Sequence, residues 1–220
     1  MLFLKPPGVY VPQEDTGVLT AALLRERLRP GAEVLDVGTG TGALAIAAAR
    51  LGAGRVTAVD TSVKAVVTAW LNARLAGQGR TVRPRRGDLT GPVAGRRFDL
   101  IVANPPYVPS PAASVPRGGR ARSWDAGSDG RAVLDRLCAQ APLLLRRGGV
   151  LLLVHSALCD EERTLTLLRG AGLPAAVTDR RAVPFGPVMR GRAQWLEARG
   201  LIAPGQDKEE LVVVRAERAA

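Results

Sequence analysis

The sequence predicts an α/β domain built on a mainly parallel sheet of seven strands, with helices on both faces and an antiparallel last strand. Three observations carry that prediction. Short apolar runs alternate along the chain with segments of helical period, which is the pattern of βαβ units. A glycine-rich turn, Asp36-Val37-Gly38-Thr39-Gly40-Thr41-Gly42, joins the first run to the helix after it. The last two runs, Ala175 to Val183 and Glu210 to Arg215, read as a closing hairpin.

Glu14 to Leu28 places Val18, Leu19, Ala22, Leu23 and Leu28 at roughly helical spacing and stops at Pro30-Gly31, so it is a helix preceding the sheet. Glu33 to Val37 reads as a buried strand, Gly42 to Leu51 as an Ala-rich helix and Arg55 to Asp60 as a second strand. Ser62 caps a helix that runs to about Ala76, and Thr81 to Arg86 and Phe98 to Ala103 follow as strands. Val108 to Gly127, rich in Pro, Gly, Ser and Arg, is too broken for regular structure, and a loop of that length is functional or mobile. Asp129 to Leu145 has a helical pattern, Gly149 to His155 is the most apolar strand, and Asp160 to Ala171 is another helix. Between the hairpin strands lies an insertion, Pro184 to Glu209, whose middle from Val188 to Arg199 reads as a short basic helix.

At 220 residues the length favours one domain, residues 1–220, with one substantial core. Lys and Arg number 31 against 20 Asp and Glu, giving a net charge of +11 that favours an anionic partner such as RNA or a ribonucleoprotein. The competing explanation is compositional, because Arg, Ala, Gly and Pro are abundant throughout. Cys138 and Cys159 have no CxxC spacing and read as small core residues in a reducing compartment. The single histidine, His155, ends an apolar run and cannot make a metal site alone. No apolar run has the length to span a bilayer, and Met1 to Val11 carries Lys5, Pro6 and Pro7 where a signal peptide would be apolar, so a cytoplasmic protein without membrane contact is expected.

The chemistry is concentrated in Asn104, Pro105, Pro106 and Tyr107, directly after the fourth strand. An amide or exocyclic amine has a delocalised lone pair, so a base alone does not make it a good nucleophile. An Asn carbonyl and the main-chain carbonyl after it can accept both N–H bonds of such a nitrogen and favour a more pyramidal, electron-rich geometry. Tyr107 is placed to stack on the flat group. The upstream glycine spacing is GxGxG, unlike the GxGxxG of dinucleotide binders. Asp60, ending the second strand, suits two ribose hydroxyls, with helix capping as its structural alternative. Gly87-Asp88 ends the third strand near where an adenine amino group would sit, or is a turn aspartate. Together these sites mark the carboxyl edge of the sheet, where α/β proteins bind ligands.

With GxGxG, the acid after the second strand and NPPY after the fourth, the chain resembles the class I methyltransferases that use S-adenosyl-L-methionine, and more narrowly the HemK-type glutamine methyltransferases. The stretches Gly8 to Thr16, Gly87-Asp88-Leu89 and Trp124 to Arg131 extend the match, which covers about Val9 to Val154. The resemblance implies a Rossmann-like class I methyltransferase fold. It implies cofactor contacts from Glu14, Asp15, Thr16, Asp36, Gly38, Thr39, Gly40, Gly42, Asp60, Thr61, Asp88, Leu89 and Asn104, and S-adenosylhomocysteine as product. Asn104, Pro105, Pro106 and Tyr107 form the implied catalytic group, with no metal. Family members methylate the glutamine amide in a Gly-Gly-Gln tripeptide of translation release factors. Bacterial members usually carry an extra N-terminal helical domain, and a chain without it is expected here. In that it is similar to the short eukaryotic and archaeal branch, whose members work with a small zinc-binding activator subunit. The Pro184 to Glu209 insertion departs from that branch. Two other readings stand beside protein glutamine: an exocyclic base amine in RNA or DNA, flipped onto Tyr107 with support from Arg117 to Arg122 and Arg190 to Arg199, and a non-catalytic ribosome-associated module.

Overall fold

The structure, a computed structural model, describes residues 3–112, 116 and 119–219. Parts of the Val108 to Gly127 loop and of the Arg117 to Arg122 stretch therefore lie outside the described residues. The elements in chain order are α1 (Glu14–Leu23), β1 (Glu33–Val37), α2 (Ala43–Arg50), β2 (Arg55–Asp60), α3 (Val63–Leu75), β3 (Val82–Arg86) and β4 (Phe98–Ala103). After the loop come α4 (Leu134–Gln140), β5 (Leu145–Ser156), α5 (Glu161–Gly170), β6 (Ala175–Pro184), α6 (Pro187–Ala198) and β7 (Lys208–Glu217).

One sheet holds the strands in the order β3-β2-β1-β4-β5-β7-β6. Its β1, β2, β3, β4 and β5 neighbours pair in parallel, while β7 runs antiparallel to both β5 and β6. The central strands bury both faces, so their side chains divide by alternation between two apolar layers. Leu35, Ile101, Leu151 and Leu153 pack with α4 and α5 residues Leu134, Leu137, Leu165 and Leu168. Val34, Leu100, Val102 and Leu152 pack on the other face with Leu19 and Leu23 of α1 and Leu44 and Ile46 of α2.

The order of strands positions the site. The chain moves outward from β1 to β3 and then returns to place β4 on the other side of β1, so the carboxyl ends of β1 and β4 flank a topological switch point. Val37 and Ala103, the last residues of the two strands, are register partners. The segments that begin at Gly38 and Asn104 therefore leave the sheet side by side.

Several elements differ from their sequence expectation, among them β5, which begins at Leu145 rather than Gly149. The first helix ends at Leu23 rather than Leu28, giving way to tight turns in which Arg25 N donates to Ala22 O and Glu26 N to Leu23 O. The segment Asp129 to Leu145 is a turn, the short helix α4 and a 3-10 turn over Ala141–Leu144, because Gly130 has φ +73 and Pro142 cannot continue an α-helix. The closing hairpin is longer than expected: Val183 pairs with Glu209 and Pro184 with Lys208, so the inserted segment shrinks to residues 185–207 and Glu209 belongs to β7. Within that segment α6 packs Met189 and Leu196 with Phe185 and Ile202 into a small third apolar cluster, against Val108 and Leu158.

On α3 the usual amphipathic arrangement is inverted. Its sheet side is built from small and polar residues, Ala65, Thr68, Ala69, Asn72 and Ala73, while Val63, Val67, Trp70, Leu71 and Leu75 are exposed. Among the described residues no helix is long and apolar enough to cross a membrane.

Candidate active site at the carboxyl ends of β1, β2 and β4

The turn after β1 is held by carboxylates on either side of it. Gly38, Gly40 and Gly42 all have positive φ, at +76°, +52° and +85°. Asp36 is fully buried and its Oδ2 accepts from Thr39 Oγ1 at 2.6 Å and Ala45 N at 3.1 Å, tying β1 to the first turn of α2. Burial pushes the Asp36 carboxyl up to about 7, against these two hydrogen bonds. Gly42 begins α2 where a Cβ would lie 3.1 Å from Ala69 of α3. Asp36, Thr39 and Gly42 thus shape the turn from beneath and do not reach the cavity above it.

Asp60 stands at the end of β2 and does face that cavity. Its Oδ2 accepts from Gly40 N at 3.0 Å and its Oδ1 from Ser62 N at 2.8 Å, while Ser62 caps α3 by accepting from Ala65 N. Both readings of Asp60 therefore coexist: it organises the helix start and presents a carboxylate edge to the cavity. Burial raises its pKa, opposed by those backbone N–H groups and by the Arg122 charge. Thr61 also lines the cavity. Asp88, after β3, is exposed and ion-paired with Arg136 of α4. Leu89 beside it is buried with φ +46 and forms an apolar wall with Val37, Val59 and Val133.

The segment after β4 meets the chain's N-terminal segment. Asn104 Nδ2 donates to Thr16 Oγ1 at 3.3 Å. Asp15 is buried, and its Oδ2 accepts from Tyr10 OH at 2.5 Å and Tyr107 OH at 3.2 Å. Burial and then the Asp15 charge raise both phenol pKa values, so both tyrosines remain hydrogen-bond donors. Tyr10 also packs over the turn, 3.5 Å from the position a Cβ would take on Gly40. Glu14 sits at the cavity rim, 3.5 Å from Arg181. Asn104, Pro105, Pro106 and Tyr107 all line the cavity, with Asp15 and Glu14; Thr16 reaches it only through Asn104.

The Trp124 to Arg131 stretch supports Tyr107 from behind. Val108 N donates to Trp124 O and Ala126 N to Val108 O, zipping the two ends of the long loop together. Cys159 Sγ donates to Tyr107 O at 2.9 Å, and a Cβ on Gly130 would lie 2.3 Å from the same oxygen. Arg131 is buried, donating to the carbonyls of Cys159 and Asp160, to Thr164 Oγ1 at 3.1 Å and to Asp135 at 2.8 Å. From α6, Arg192 reaches Asp125 at 2.6 Å and Pro109 O at 2.9 Å, so the inserted helix is pinned to this loop. Burial raises the Cys138 and Cys159 thiol pKa values, the former to about 11, which leaves both as protonated packing groups.

One cavity of about 890 Å³ joins the ends of β1, β2 and β3 to the segment after β4. Its far wall comes from residues that sequence reasoning passed over: Val183 of β6, Met189 of α6, and Glu209 and Leu211 of β7. Tyr10 was also passed over, although a Tyr five residues before an Asp in a segment that folds back on the turn is a usable signal. The arrangement is a slot with apolar walls, a carboxylate at each of two strand ends, and an amide with two phenols at the third. It suits a nucleoside-containing ligand in one arm and a planar N–H donor in the other.

Comparisons with known proteins agree with that geometry. A family model described as ribosomal protein L11 methyltransferase matches residues 13–105. A Methanocaldococcus jannaschii protein, provisionally named a protein N5-glutamine methyltransferase, is 34% identical over 183 residues, covering 83% of this chain and 90% of its own. The release factor glutamine methyltransferase of Moorella thermoacetica is 39% identical over 158 residues, covering 69% of this chain and 56% of its own, so this chain spans about half of that relative's length. Among solved structures, that of the E. cuniculi Mtq2-Trm112 complex, responsible for the methylation of the eRF1 translation termination factor, contains a chain of the same fold. It aligns with a TM-score of 0.62 at 24% identity, over 96% of this chain and 99% of that one.

Proposed function

Because the chain belongs to the family of release factor and protein N5-glutamine methyltransferases, we propose that it methylates the side-chain amide nitrogen of a protein glutamine, with S-adenosyl-L-methionine as methyl donor. The carrying observation is that Asn104 and the glycine turn leave adjacent, register-matched strand ends and open into one cavity.

The residues present fit the donor. Gly38 and Gly40 let the main chain of the turn face the cavity without side chains, and Asp60 offers carboxylate oxygens to a ribose diol. Asp88 and Leu89 would hold the adenine, one by charge and one by its apolar wall, while Glu14 and Asp15 close the N-terminal segment over it. When bound, the sulfonium supplies an electrophilic methyl group and leaves as S-adenosylhomocysteine.

The chain's own work is orientation. The bond from Asn104 Nδ2 to Thr16 Oγ1 fixes the amide plane and leaves Asn104 Oδ1 to accept from the substrate N–H. The main-chain carbonyl beyond it takes the second N–H, and Tyr107, its hydroxyl held by Asp15, walls the flat group. Holding nitrogen, methyl and sulfur in line in a water-poor slot supplies most of the acceleration. Asn104→Ala is expected to lower turnover about 10²- to 10³-fold, as for loss of one preorganised polar contact.

The protein substrate suggested by the relatives is a translation release factor. An activator subunit of the kind named in the E. cuniculi complex would find apolar surface on the exposed face of α3, around Trp70 and Val67. A base amine in nucleic acid is the alternative acceptor, resting on the net charge of +11. At least eleven arginines are ion-paired to the protein's own carboxylates, which leaves that net charge unchanged. One experiment tests the reading. Labelled S-adenosyl-L-methionine is incubated with the protein and cell extract, alone and with a small zinc-binding subunit, and the product is split between ribonuclease and protease. Label removed by protease and lost with Asn104→Ala supports glutamine methylation; label removed only by ribonuclease overturns it.

A further inference from the structure

Glu209 is a carboxylate on the cavity wall whose chemistry the proposed reaction does not use. It is carried by β7 opposite Val183 of β6, more than a hundred residues from the NPPY segment, and faces the same cavity as Asn104 and Tyr107. Ser156, at the end of β5, bonds one side of its carboxylate. The other oxygen, Oε2, is shielded from solvent and has no hydrogen-bond partner among the described residues. A shielded carboxylate oxygen without a donor is costly, and in native structures such an atom calls for a specific account.

Its surroundings say which ligand would satisfy it. Asp15 of α1 faces it with a negative charge, and Tyr107 and Cys159 face it with neutral hydroxyl and thiol groups. Glu14 stands at the same rim. Tyr10 and Tyr107 spend their hydroxyl protons on Asp15 Oδ2, and the Cys159 thiol on Tyr107 O. These groups are acceptors or have spent their protons, so the donor to Glu209 arrives with the ligand, although Arg86, Arg122 and Arg136 line other parts of the same cavity. A peptide brings main-chain N–H groups on either side of the residue it presents, whereas a phosphodiester brings further anionic oxygens that Asp15 and Glu209 repel.

Building on the glutamine reading, we propose that Glu209 is an acceptor-binding residue whose Oε2 takes a main-chain N–H of the peptide flanking the methylated side chain. Asn104 would then read the amide, and Glu209 the backbone that carries it. One acceptor directly follows β4, the other belongs to β7, and both line one cavity, so together they set the direction in which the peptide enters.

The test uses the whole chain with a Gly-Gly-Gln peptide and a second peptide whose flanking glycine nitrogens are methylated. Glu209→Ala is expected to raise the peptide KM about tenfold, as for one lost hydrogen bond to a charged group, with the effect on KM exceeding that on kcat. Glu209→Gln, which keeps an acceptor oxygen and the side-chain volume, recovers part of the loss. The N-methylated peptide binds the native protein about as weakly as the plain peptide binds Glu209→Ala, and the variant does not distinguish the two. Calorimetric affinity for S-adenosylhomocysteine, whose proposed contacts do not include Glu209, reports that the variants are folded. A peptide KM within twofold of native in Glu209→Ala, in a protein that methylates the peptide, overturns this assignment alone. A native protein that labels RNA and no peptide overturns the glutamine reading and this one together.

Discussion

Gly130→Ala probes the link between the Trp124 to Arg131 stretch and the reacting segment. Gly130 has φ +73, and an added Cβ would lie 2.3 Å from Tyr107 O and 2.7 Å from Cys159 Sγ. Restoring an ordinary contact of 3.4 Å needs a shift of roughly 1 Å in the main chain at Tyr107 or Gly130. Gly148 is the natural control, with φ +68 and nothing within 4 Å of the same added atom. A left-handed non-glycine residue costs about 1–2 kcal/mol, offset by about 0.4–1 kcal/mol from a stiffer unfolded chain, so Gly148→Ala should lose about 1 kcal/mol. Gly130→Ala adds about 1–3 kcal/mol of overpacking and about 1 kcal/mol from the strained thiol-to-carbonyl bond, for a total of about 3–5 kcal/mol. For a chain of this length that is a fall in Tm of roughly 6–20 °C, against roughly 2–4 °C for the control. Urea denaturation and thermal melts of the two variants measure the difference. A displacement of 1 Å at Tyr107 should also lower kcat/KM about 100-fold at a temperature where Gly130→Ala is still folded. Equal stability losses in the two variants, or full activity in folded Gly130→Ala, would refute the claim that Gly130 sets the position of Tyr107.

Two further perturbations have defined outcomes. Asp60→Ala removes the acceptor for Gly40 N and Ser62 N as well as the proposed ribose contact, so calorimetry should show S-adenosyl-L-methionine binding weakened roughly 10- to 100-fold; a 2′,3′-dideoxy analogue should lose much less, and binding within twofold of native would remove Asp60 from the ribose. Asp36 and His155 should give stability opposite dependences on pH. Burial raises Asp36 to about 7 in the folded chain from about 3.9 unfolded, so its contribution is present below pH 4 and is lost as pH rises towards 7. Burial lowers His155 to about 4 from about 6.5, so its contribution is present above pH 6.5 and is lost as pH falls towards 4. Between pH 4.5 and 6.5, roughly the window the two shifts share, urea midpoints of Asp36→Asn should rise with pH more steeply than native, and those of His155→Gln less steeply. Unchanged slopes would mean that neither group carries its shift.

The strands around the switch point were legible almost residue by residue, because β1, β2 and β4 are apolar runs bounded by Gly, Ser or Pro. Their order follows from the same chemistry: a glycine turn after one strand and NPPY after another make sense only if the two ends are neighbours. What could not be read is long-range. Asp129 to Val133 has helical composition, yet Gly130 turns there and the Arg131 side chain is buried against the carbonyls of Cys159 and Asp160. Glu209 reads in sequence as the end of a polar insertion, and only the register of β6 with β7 brings it to the cavity. Asp36, Thr39 and Gly42 share a motif with Gly38 and Gly40 but do not line the cavity, Asp36 and Thr39 being bonded to each other instead. A motif marks the neighbourhood of a site, while the direction of each side chain is decided by packing.

Charge illustrates the same separation of scales. The chain carries +11 overall, whereas its cavity is lined by five carboxylates, Glu14, Asp15, Asp60, Asp88 and Glu209, against three arginines, Arg86, Arg122 and Arg136. Beyond about 8 Å at physiological ionic strength, interactions between exposed charges are largely screened. The net charge therefore acts on encounter, where it would favour approach of an anionic partner. Inside the cavity the effective dielectric is lower, and the nearby carboxylates dominate. They favour a cationic sulfonium and an N–H-rich peptide, and they oppose a phosphate backbone threading past Tyr107. A basic exterior with an acidic reaction cavity is thus consistent with a protein acceptor carried on a nucleic-acid-containing assembly. It also predicts that added salt weakens capture of that assembly more than turnover of an isolated peptide.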